Sequence, residues 1–212
     1  MKNTFLSMLT TILLSALLVS SCDKDKTPLD TMPANKSASE YFPNKVGDKW
    51  IYNVYDSVKV RMDEVSVEIT GTTTMPKGEV ANVWIYKYPE KTDTNFVFQS
   101  GDTVKFIRAS DLNPDYYVIR KKYIIPLSVG NSWTNLFLYD SIHIIKETSL
   151  LVNNLKFDST YFLIDKGRTF NYFIYAEEYF KPTIGIVQLS KYEYDFFIPE
   201  NKVWYLKEYF LK

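Results

Sequence analysis

Side chains that could act as a base, a nucleophile or a metal ligand are scarce in this sequence. Its 212 residues include one His and one Cys, which excludes the usual zinc sites. His143 lies in residues 141–145, whose alternation is typical of a strand. Neighbouring strand residues point to opposite faces, so Asp140 and Ser141 do not complete a triad with His143. The sequence also has no G-x-S-x-G nucleophile elbow. We therefore predict that the protein is not an enzyme.

One stretch begins like a calcium-binding loop. Asp111, Asn113 and Asp115 have the D-x-N-x-D spacing that supplies oxygen ligands to Ca²⁺. The pattern then fails, because Tyr116 stands where Gly is needed and Lys122 stands where the bidentate Glu is needed. We predict a polar hairpin turn here and no metal site.

Two pairs of adjacent acids are the remaining candidates for catalysis. Asp63-Glu64 and Glu177-Glu178 could supply the two carboxylates that glycoside hydrolysis uses about 5–10 Å apart. Adjacent strand residues face opposite ways, however, and with 25 acids some will be close by chance. A carboxylate-based hydrolase is therefore the least favoured alternative. No glycine-rich phosphate loop is present among seven scattered glycines, and no cofactor is predicted.

An aromatic stripe is the best candidate for ligand binding. Trp84, Tyr86 and Tyr88 alternate along one predicted strand and so share a face. Such a stripe usually faces a core, but flat aromatic rings can also stack on sugars or on apolar ligands. Both interpretations stay open. A second aromatic group lies towards the end of the chain: Tyr192, Tyr194, Phe196, Phe197, Trp204 and Tyr205.

Composition limits the class of protein. The chain carries 25 basic and 25 acidic residues, and this zero net charge argues against nucleic acid, whose binders need a basic face. Aromatic residues make up 17% and hydrophobic residues 46%, too many for a disordered chain. Abundant Tyr and scarce Gly favour strands. We therefore expect a folded β protein that does not bind nucleic acid.

The first residues predict export. Lys2 precedes an uncharged, mostly apolar run over residues 5–19, which is too short to span a membrane and typical of a secretory signal. Val19-Ser20-Ser21-Cys22 resembles the lipobox of bacterial lipoproteins. That resemblance implies removal of residues 1–21 and lipid attachment to Cys22. Each buried CH₂ contributes about 0.8 kcal/mol, so two or three acyl chains hold a protein firmly in a bilayer.

The residues after the cysteine predict a linker. Asp23, Lys24, Asp25 and Lys26 resemble the export tag of Bacteroidetes-type surface lipoproteins, although the usual tags have consecutive acids and this one alternates. A solvated start to the linker is the alternative. Residues 22–40 have few large apolar side chains and could reach about 60 Å when extended. We predict an outer-membrane location, with the membrane face left open.

Two passages of the remaining chain resemble each other. Residues 42–50 and 125–133 share Pro, Val, Gly and Trp at a constant spacing. Gly47 and Gly130 suit turns that need φ > 0, and each launches a strand that begins with Trp50 or Trp133. We predict an internal repeat of residues 41–124 and 125–212 in a single domain spanning residues 41–212. Chance similarity is the alternative.

The first passage also carries a wider resemblance. The pattern FP-x-x-x-G-x-x-W-x-Y begins at Phe42, and a P-x-x-G-h-V element (h apolar) occupies residues 182–187. Together they resemble a broad set of uncharacterised Bacteroidetes-type outer-membrane lipoproteins. The resemblance implies a fold and an envelope location; it implies no activity.

Alternating apolar residues separated by short turn signals predict an all-β fold. We expect about eleven strands in an antiparallel meander that forms a barrel, a half-barrel or a sandwich, with two related halves. The one helical candidate is residues 175–180. A single strand is predicted over 133–146, and the turn signals are residues 75–78, 100–102, 113–115, 152–154, 166–168 and 199–201.

These observations favour a lipid-anchored envelope lipoprotein with a non-enzymatic binding or scaffold role. The predicted partners are the membrane, through the lipid, and an envelope protein or a glycan. A module that binds a glycan or a hydrophobic ligand on an aromatic face or inside a barrel is the first alternative.

Overall fold

Side chains that alternate between buried and part-exposed positions define the strands of this protein. In β1 (Lys49–Asp56), Trp50, Tyr52 and Val54 are buried, and the residues between them are not. Successive strand side chains point to opposite faces, so this strand turns one face to an interior. The computed structural model describes residues 38–56, 61–113, 115–116, 118–135, 140–168, 172–195 and 198–212.

Described elements run in chain order from one short helix into strands. The helix is α1 (Ala38–Tyr41), and a 3-10 helix spans Ala109–Asp111. The strands after β1 are β2 (Arg61–Thr74), β3 (Val80–Lys87), β4 (Thr92–Ser100), β5 (Thr103–Arg108), β6 (Lys121–Ile124), β7 (Ser132–Asn135), β8 (Asp140–Val152), β9 (Leu155–Arg168), β10 (Tyr172–Lys181), β11 (Gly185–Asp195) and β12 (Ile198–Phe210).

The twelve described strands form one antiparallel sheet that closes almost completely. Their order is β6-β5-β4-β3-β2-β1-β12-β11-β10-β9-β8-β7. The sheet therefore brings the first and last strands together at its centre, where Trp50 lies opposite Tyr209. Its edge strands, β6 and β7, approach each other, and Trp133 Nε1 donates a hydrogen bond of 2.9 Å to the Lys122 carbonyl. The predicted meander is confirmed, and of the three predicted shapes it takes that of a nearly closed barrel.

Register shifts help the sheet to curl. One lies opposite Ile51/Tyr52 of β1, where β12 has the extra residue Lys207, and one lies at Ile69/Gly71 in β2. A third lies opposite Tyr179/Phe180 of β10, where β11 has the extra residue Val187. Two more lie in β8, at Ile144/Lys146 and Thr148/Leu150. An extra residue on one strand bends it and increases its twist, and such bends are what a closing sheet requires.

One end of the barrel is closed by the segment that precedes β1. In a meander, residues 75–79, 101–102, 125–131 and 182–184 all connect strands at the same end. Residues 41–44 cross this end, and we call them the plug. We call the opposite end of the barrel the far end.

Hydrogen bonds and burial fix the plug in place. Tyr41 and Phe42 are 2% and 3% exposed. The Thr183 amide donates to the Tyr41 carbonyl at 2.8 Å. On the other side of the barrel mouth, Asn82 Nδ2 donates to the Asn44 carbonyl at 2.6 Å. The plug therefore bridges β3 and the β10–β11 turn.

The two glycine turns singled out in the sequence have the same backbone geometry. Gly47 has φ 95° and Gly130 has φ 89°, values that side-chain-bearing residues rarely adopt. Gly47 N donates to the Ile69 carbonyl at 2.8 Å, and Gly130 N donates to the Ile144 carbonyl at 2.9 Å. Each turn thus begins a strand beside its hairpin partner. The duplication itself stays a prediction.

The residue after each glycine distinguishes the two turns. Asp48 is 1% exposed, and its carboxylate accepts the backbone N–H groups of Lys45 at 2.8 Å and Lys212 at 2.9 Å. Asn131, at the equivalent position, is exposed. Only the first of these two turns therefore fastens the end of β12 to the start of β1.

Four sequence predictions of local structure were wrong. Residues 175–180 form part of β10, not a helix, because pairing with both β9 and β11 overrides the helix propensity of Ala and Glu. Residues 133–146 contain two strands, since Trp133 lies opposite Ile142 in an antiparallel pair. The turn signals at 166–168 and 199–201 lie inside β9 and β12.

Other predicted turns are confirmed. Asn153 and Asn154 have φ 47° and 68° between β8 and β9, as a two-residue type I′ hairpin requires. Gly101, with φ 61°, lies in the β4–β5 hairpin, and Gly78, with φ 92°, lies in the β2–β3 connection. Among the residues described, no helix is long and apolar enough to cross a membrane.

Candidate functional site: the barrel interior

An aromatic cluster fills the half of the interior next to the plug. Phe42 is its centre, with ring centroids 6.1 Å from Trp84, 5.9 Å from Phe106, 5.5 Å from Tyr123 and 5.6 Å from Phe180. Such spacings are those of favourable aromatic pairs. We use the name aromatic cluster for these rings with two more: Tyr41, Phe42, Trp50, Trp84, Phe106, Tyr123 and Phe180.

The polar atoms that project from the plug side of this cluster have partners. Trp50 Nε1 donates to the Ile184 carbonyl at 2.6 Å, and Trp84 Nε1 donates to Asn44 Oδ1 at 2.8 Å. The Tyr41 hydroxyl accepts the Leu127 amide at 3.2 Å. Trp50 and Trp84 stack with centroids 5.0 Å apart. This half of the interior is therefore a packed core.

The predicted aromatic stripe faces the interior but spans two environments. Trp84 is 7% exposed and belongs to the core. Tyr86 and Tyr88 are half-buried and lie further towards the far end, where the Tyr88 ring meets Trp204 at 6.0 Å. Burial raises the pKa of Tyr86 to about 12. Only the far part of the stripe thus has faces that a ligand could contact.

Charged groups lie beside that far part. Glu178 is 2% exposed, and its carboxylate accepts the Tyr123 hydroxyl at 2.5 Å and the Lys121 ammonium. Lys121 Nζ also lies 4.9 Å from the Tyr123 ring centroid. Burial, and then the negative charge of Glu178, raise the pKa of Tyr123 well above its usual value. Glu178 thus holds an ion pair inside the barrel.

A second acid lies in the same interior. Asp165 is 8% exposed, and its Oδ1 has no hydrogen-bond partner in the described part of the chain. It lies opposite Ala176 on β10, one diagonal step from Glu178; diagonal neighbours are about 7–8 Å apart. Burial raises the pKa of Asp165, and the charge of Glu178 raises it further. We call Lys121, Asp165 and Glu178, with Lys191, the charged cluster.

Lysines partly offset the charge of Asp165. The positive charges of Lys121 and Lys191 lower its pKa, but burial outweighs them. Lys191 lies opposite the same Ala176 from the other side, on β11. The row Asp165–Ala176–Lys191 therefore places an acid and a base on either side of the smallest side chain of the row.

This arrangement has two chemical capacities. A carboxylate oxygen without a donor can accept an N–H or O–H from a bound molecule. Two carboxyl groups in different surroundings can also divide the roles of acid and base. The half-buried ring of Tyr86, which the charge of Glu178 reaches, supplies apolar contact area, and Tyr88 follows it on the same face of β3 against Trp204.

The predicted acid pairs separate, as alternation requires. Glu178 points inward, whereas Glu177 accepts the Tyr175 hydroxyl at 2.8 Å and is half-buried. Glu64 forms an exposed ion pair with Lys207 at 2.7 Å. The acid that does approach Glu178 is Asp165, which sequence reasoning missed. The sequence signal for Asp165 is its position: it lies two residues after Leu163 and so shares the buried face of β9.

The remaining sequence candidates in the described region have structural roles. Asp111 receives both Arg120 Nε at 2.5 Å and Arg120 Nη2 at 2.8 Å, which lowers its pKa. Asn113 Oδ1 accepts the Asp115 amide at 2.9 Å. His143 is exposed on β8. Over the described residues, no group of three or more His, Cys, Asp or Glu side chains could hold a metal ion.

Several predictions lie outside the described residues. They concern the lipobox (Val19, Ser20, Ser21), the lipid attachment site Cys22, the candidate tag Asp23, Lys24, Asp25 and Lys26, and most of the linker. The second aromatic group is described only in part: Trp204 faces the interior beside Tyr52 and Tyr88, and Tyr192 is 39% exposed beside Phe173.

A surface cleft of about 570 Å³ lies at the plugged end. Its lining includes Pro43, Asn44, Asp48, Asn82 and Lys212. The buried acid among them, Asp48, is fully engaged by backbone N–H groups. None of the buried side-chain atoms that lack a hydrogen-bond partner among the described residues lines this cleft.

Comparisons with known proteins identify neither a family nor a function. No protein family and no curated protein match the sequence. A protein described as a candidate lipoprotein from Parabacteroides distasonis ATCC 8503 is 17% identical, with a TM-score of 0.39, over 80% of this chain and 97% of its own. A protein described as a candidate exported protein with a YmcC-like fold, from Bacteroides fragilis NCTC 9343, is 13% identical, with a TM-score of 0.41, over 80% of this chain and 98% of its own. A likeness of this size carries no argument about this chain.

Proposed function

We propose that the protein is a lipid-anchored lipoprotein of the outer membrane whose barrel interior binds a small polar ligand without converting it. The sequence supports the anchor: residues 1–21 have the pattern of a signal peptide, and Cys22 follows a lipobox-like Val19-Ser20-Ser21. The structure supports the binding role more than a scaffold role, because a buried carboxylate oxygen without a described hydrogen-bond partner, Asp165 Oδ1, lies inside the barrel.

One observation carries the binding role. Asp165 Oδ1 is buried in the interior without a hydrogen-bond partner among the described residues. Buried polar atoms are almost always paired, so a bound donor is the simplest explanation for this one. The rings of Tyr86, Tyr88 and Trp204 on other strands of the same interior are only half-buried, and the plug closes the opposite end.

The anchor is tested by the intact mass of the protein extracted from its own cells. We expect a chain that begins at Cys22 and carries two or three acyl chains. Cys22→Ser should leave the protein in the soluble fraction. A mass equal to that of the unmodified chain would refute the anchor and leave the binding role standing.

The binding role is tested by thermal unfolding of the mature chain with single monosaccharides, amino acids and amines. At least one should raise the melting temperature of the wild type, because a ligand of the folded state stabilises it. Ala176→Leu fills the row between Asp165 and Lys191 and should abolish the shift. Glu177→Gln, outside that row, should keep it. A panel that shifts nothing, or shifts wild type and Ala176→Leu equally, contradicts an interior site.

A carboxylate hydrolase is the second candidate, and the approach of two acids inside the barrel is the observation that favours it. Burial raises the pKa of Asp165, as suits a general acid, while Lys121 provides a positive charge beside Glu178. Turnover of nitrophenyl glycosides that is lost in both Asp165→Asn and Glu178→Gln would establish it. Binding without turnover would leave the non-enzymatic role.

A further inference from the structure

Exposed apolar side chains are distributed unevenly between the two ends of the barrel. In the described part of the chain, twelve large hydrophobic residues are exposed. Six of them are aliphatic or phenylalanine side chains at the plugged end, and we call these six the apolar rim: Val46 (49% exposed), Val80 (66%), Val129 (51%), Leu151 (68%), Phe210 (55%) and Leu211 (38%). At the far end, the described part of the β5–β6 connection exposes Leu112 and Tyr116. The plugged end therefore carries most of the exposed aliphatic side chains of the described residues.

The topology of the sheet brings the apolar rim together. Val46 and Val129 directly precede the two glycine turns, and Val80 begins β3 after the β2–β3 connection. Leu151 lies just before the β8–β9 hairpin, which returns to the same end because successive strands of a meander alternate in direction. Phe210 ends β12 beside the start of β1. The rim side chains thus come from five separate segments that reach one end of the barrel.

The described part of the chain also begins at this end. Ala38 starts α1, which leads into the plug, and the Tyr41 carbonyl accepts the amide of Thr183 in the β10–β11 turn. In the sequence, fifteen residues separate Cys22 from Ala38. A chain of this length spans about 20–23 Å as a coil and about 55 Å when fully extended. A lipid on Cys22 would therefore keep the plugged end within that distance of the bilayer.

The charges of the plugged end favour no strongly charged partner. Lys45 and Lys212 are exposed there, and so are Glu40 and Asp102. Attraction of a charged partner over a distance needs a surface of mainly one sign. Contact at this end therefore depends on apolar surface and should change little with salt.

Single apolar side chains on separate connections suit a flat, fluid partner. A protein interface has a core packed as densely as a protein interior. Contact with the interface of a bilayer needs only that apolar side chains reach the boundary between headgroups and acyl chains, and its strength scales with the apolar area that is buried. An arrangement of rim residues around one end, on the side where the anchor segment joins, fits the second case.

We propose that the plugged end of the barrel docks on the bilayer that holds the lipid anchor, with the apolar rim inserted among the lipid headgroups. The proposal rests on the anchor argued above and adds which side of the barrel meets the membrane. The far end then faces away from the bilayer.

Fluorescent labels on the lipidated mature chain test this orientation. The one Cys of the sequence is the proposed lipid site, so Val129→Cys or Leu112→Cys introduces a single free thiol for an environment-sensitive dye. The labelled proteins are reconstituted in phosphatidylcholine vesicles in which some lipids carry a nitroxide on the acyl chain. At position 129 we expect emission at shorter wavelength and quenching by the nitroxide, and at position 112 neither change. Equal behaviour of the two labels would overturn the proposal.

A second variant separates insertion from mere tethering. It combines the labelled Val129→Cys with Val46→Ser, Val80→Ser and Leu151→Ser, and it keeps Cys22. Because these side chains are exposed, the melting temperature should stay close to that of the parent, and the intact mass should still include the acyl chains. The label should lose both its spectral shift and its quenching. Undiminished quenching would mean that the tether alone brings this end to the lipid, and insertion of the rim would be wrong.

The outcomes distinguish this proposal from the anchor and from contact between copies. An intact mass without acyl chains removes the anchor and the docking together, whereas a lipidated chain with equal labels removes the docking alone. A spectral shift at position 129 that grows with protein concentration, without quenching by the nitroxide, would assign the rim to a second copy of the chain and would overturn the membrane contact.

Discussion

The two halves of the barrel interior differ in which groups they bury and in how those groups are paired. Next to the plug, six aromatic residues pack in one cluster with Phe42, and the Trp50 and Trp84 indole N–H groups donate to the Ile184 carbonyl and to Asn44 Oδ1. Towards the far end, the same strands bury Glu178 in an ion pair and leave Asp165 Oδ1 unpartnered. Burying polar groups without partners is costly, so the first half has the features of a stabilising core and the second those of a site.

One aromatic stripe crosses the boundary between these two halves. Trp84 and Tyr86 are two positions apart on β3, yet Trp84 is held by Asn44 of the plug, while Tyr86 is half-buried near Glu178. Position along the barrel axis, not residue type, decides which ring is core. Substitutions near the plug should therefore mainly lower the free energy of unfolding. Substitutions towards the far end should mainly affect ligand binding, if the interior binds a ligand as proposed.

Removing the plug ring should cause the largest loss of stability. Phe42→Ala deletes four ring contacts and leaves a cavity, which costs about 3–5 kcal/mol for a buried Phe. Denaturant unfolding measures it, with Tyr55→Ala on the exposed outer face as the control. A loss below about 1 kcal/mol would mean that the near half is not the stabilising core.

Removing the buried carboxylate should cost less. Glu178→Gln leaves Lys121 without its charged partner but still offers an oxygen to Tyr123, and we expect a loss of about 1–3 kcal/mol in unfolding free energy. Glu177→Gln is the matched control on the other face of β10. Equal losses in the two variants would contradict a special role for the inward position.

Replacing either turn glycine by Ala should cause a smaller loss of unfolding free energy than Phe42→Ala. Gly130→Ala forces Ala to φ 89°, which costs about 1–2 kcal/mol. Gly47→Ala adds contacts of 3.1 Å with the Lys212 side chain and should cost at least as much. Denaturant unfolding of both variants tests this. A smaller loss for Gly47→Ala would show that the end of β12 is not held as the Asp48 contacts indicate.

Asp165→Asn should change the melting temperature slightly, by an amount that depends on pH in a defined direction. Its pKa is raised by folding, so the folded state binds more protons between about pH 4 and the raised value, and the wild type gains stability as the pH falls. Asp165→Asn has no such titration. Its melting temperature relative to wild type should therefore be highest at neutral pH and decline towards pH 4.

If the melting temperature of Asp165→Asn relative to wild type stays constant with pH, or rises as the pH falls, then folding does not raise the pKa of Asp165. Glu177→Gln, measured over the same range, shows how much pH dependence an acid outside the interior contributes.

The fold was predictable because its signals are local. Alternation gave the strands, and Asn153-Asn154 and Gly101 gave hairpins whose φ values need those residues. The exceptions are places where distant pairing decides. Residues 175–180 read as helical from Ala and Glu, but two neighbouring strands hold them extended. The hairpin within 133–146 was missed because its strands share one apolar pattern.

The site was predictable only in part. Tyr86 and Tyr88 were found from their spacing, since a stripe on one strand is visible in sequence. Asp165 and Glu178 were not paired, because they are 13 positions apart and meet only through the β9–β10 register. A charged residue in phase with buried apolar neighbours is the signal that could have found Asp165 before the structure.

The most direct test of interior binding is a crystal structure of the mature chain grown with the compound that raises its melting temperature most. We expect ligand density inside the barrel, with an N–H or O–H donor atom about 2.7–3.2 Å from Asp165 Oδ1. An interior without ligand, in which Asp165 Oδ1 is bonded to a protein group or an ordered water, would contradict it.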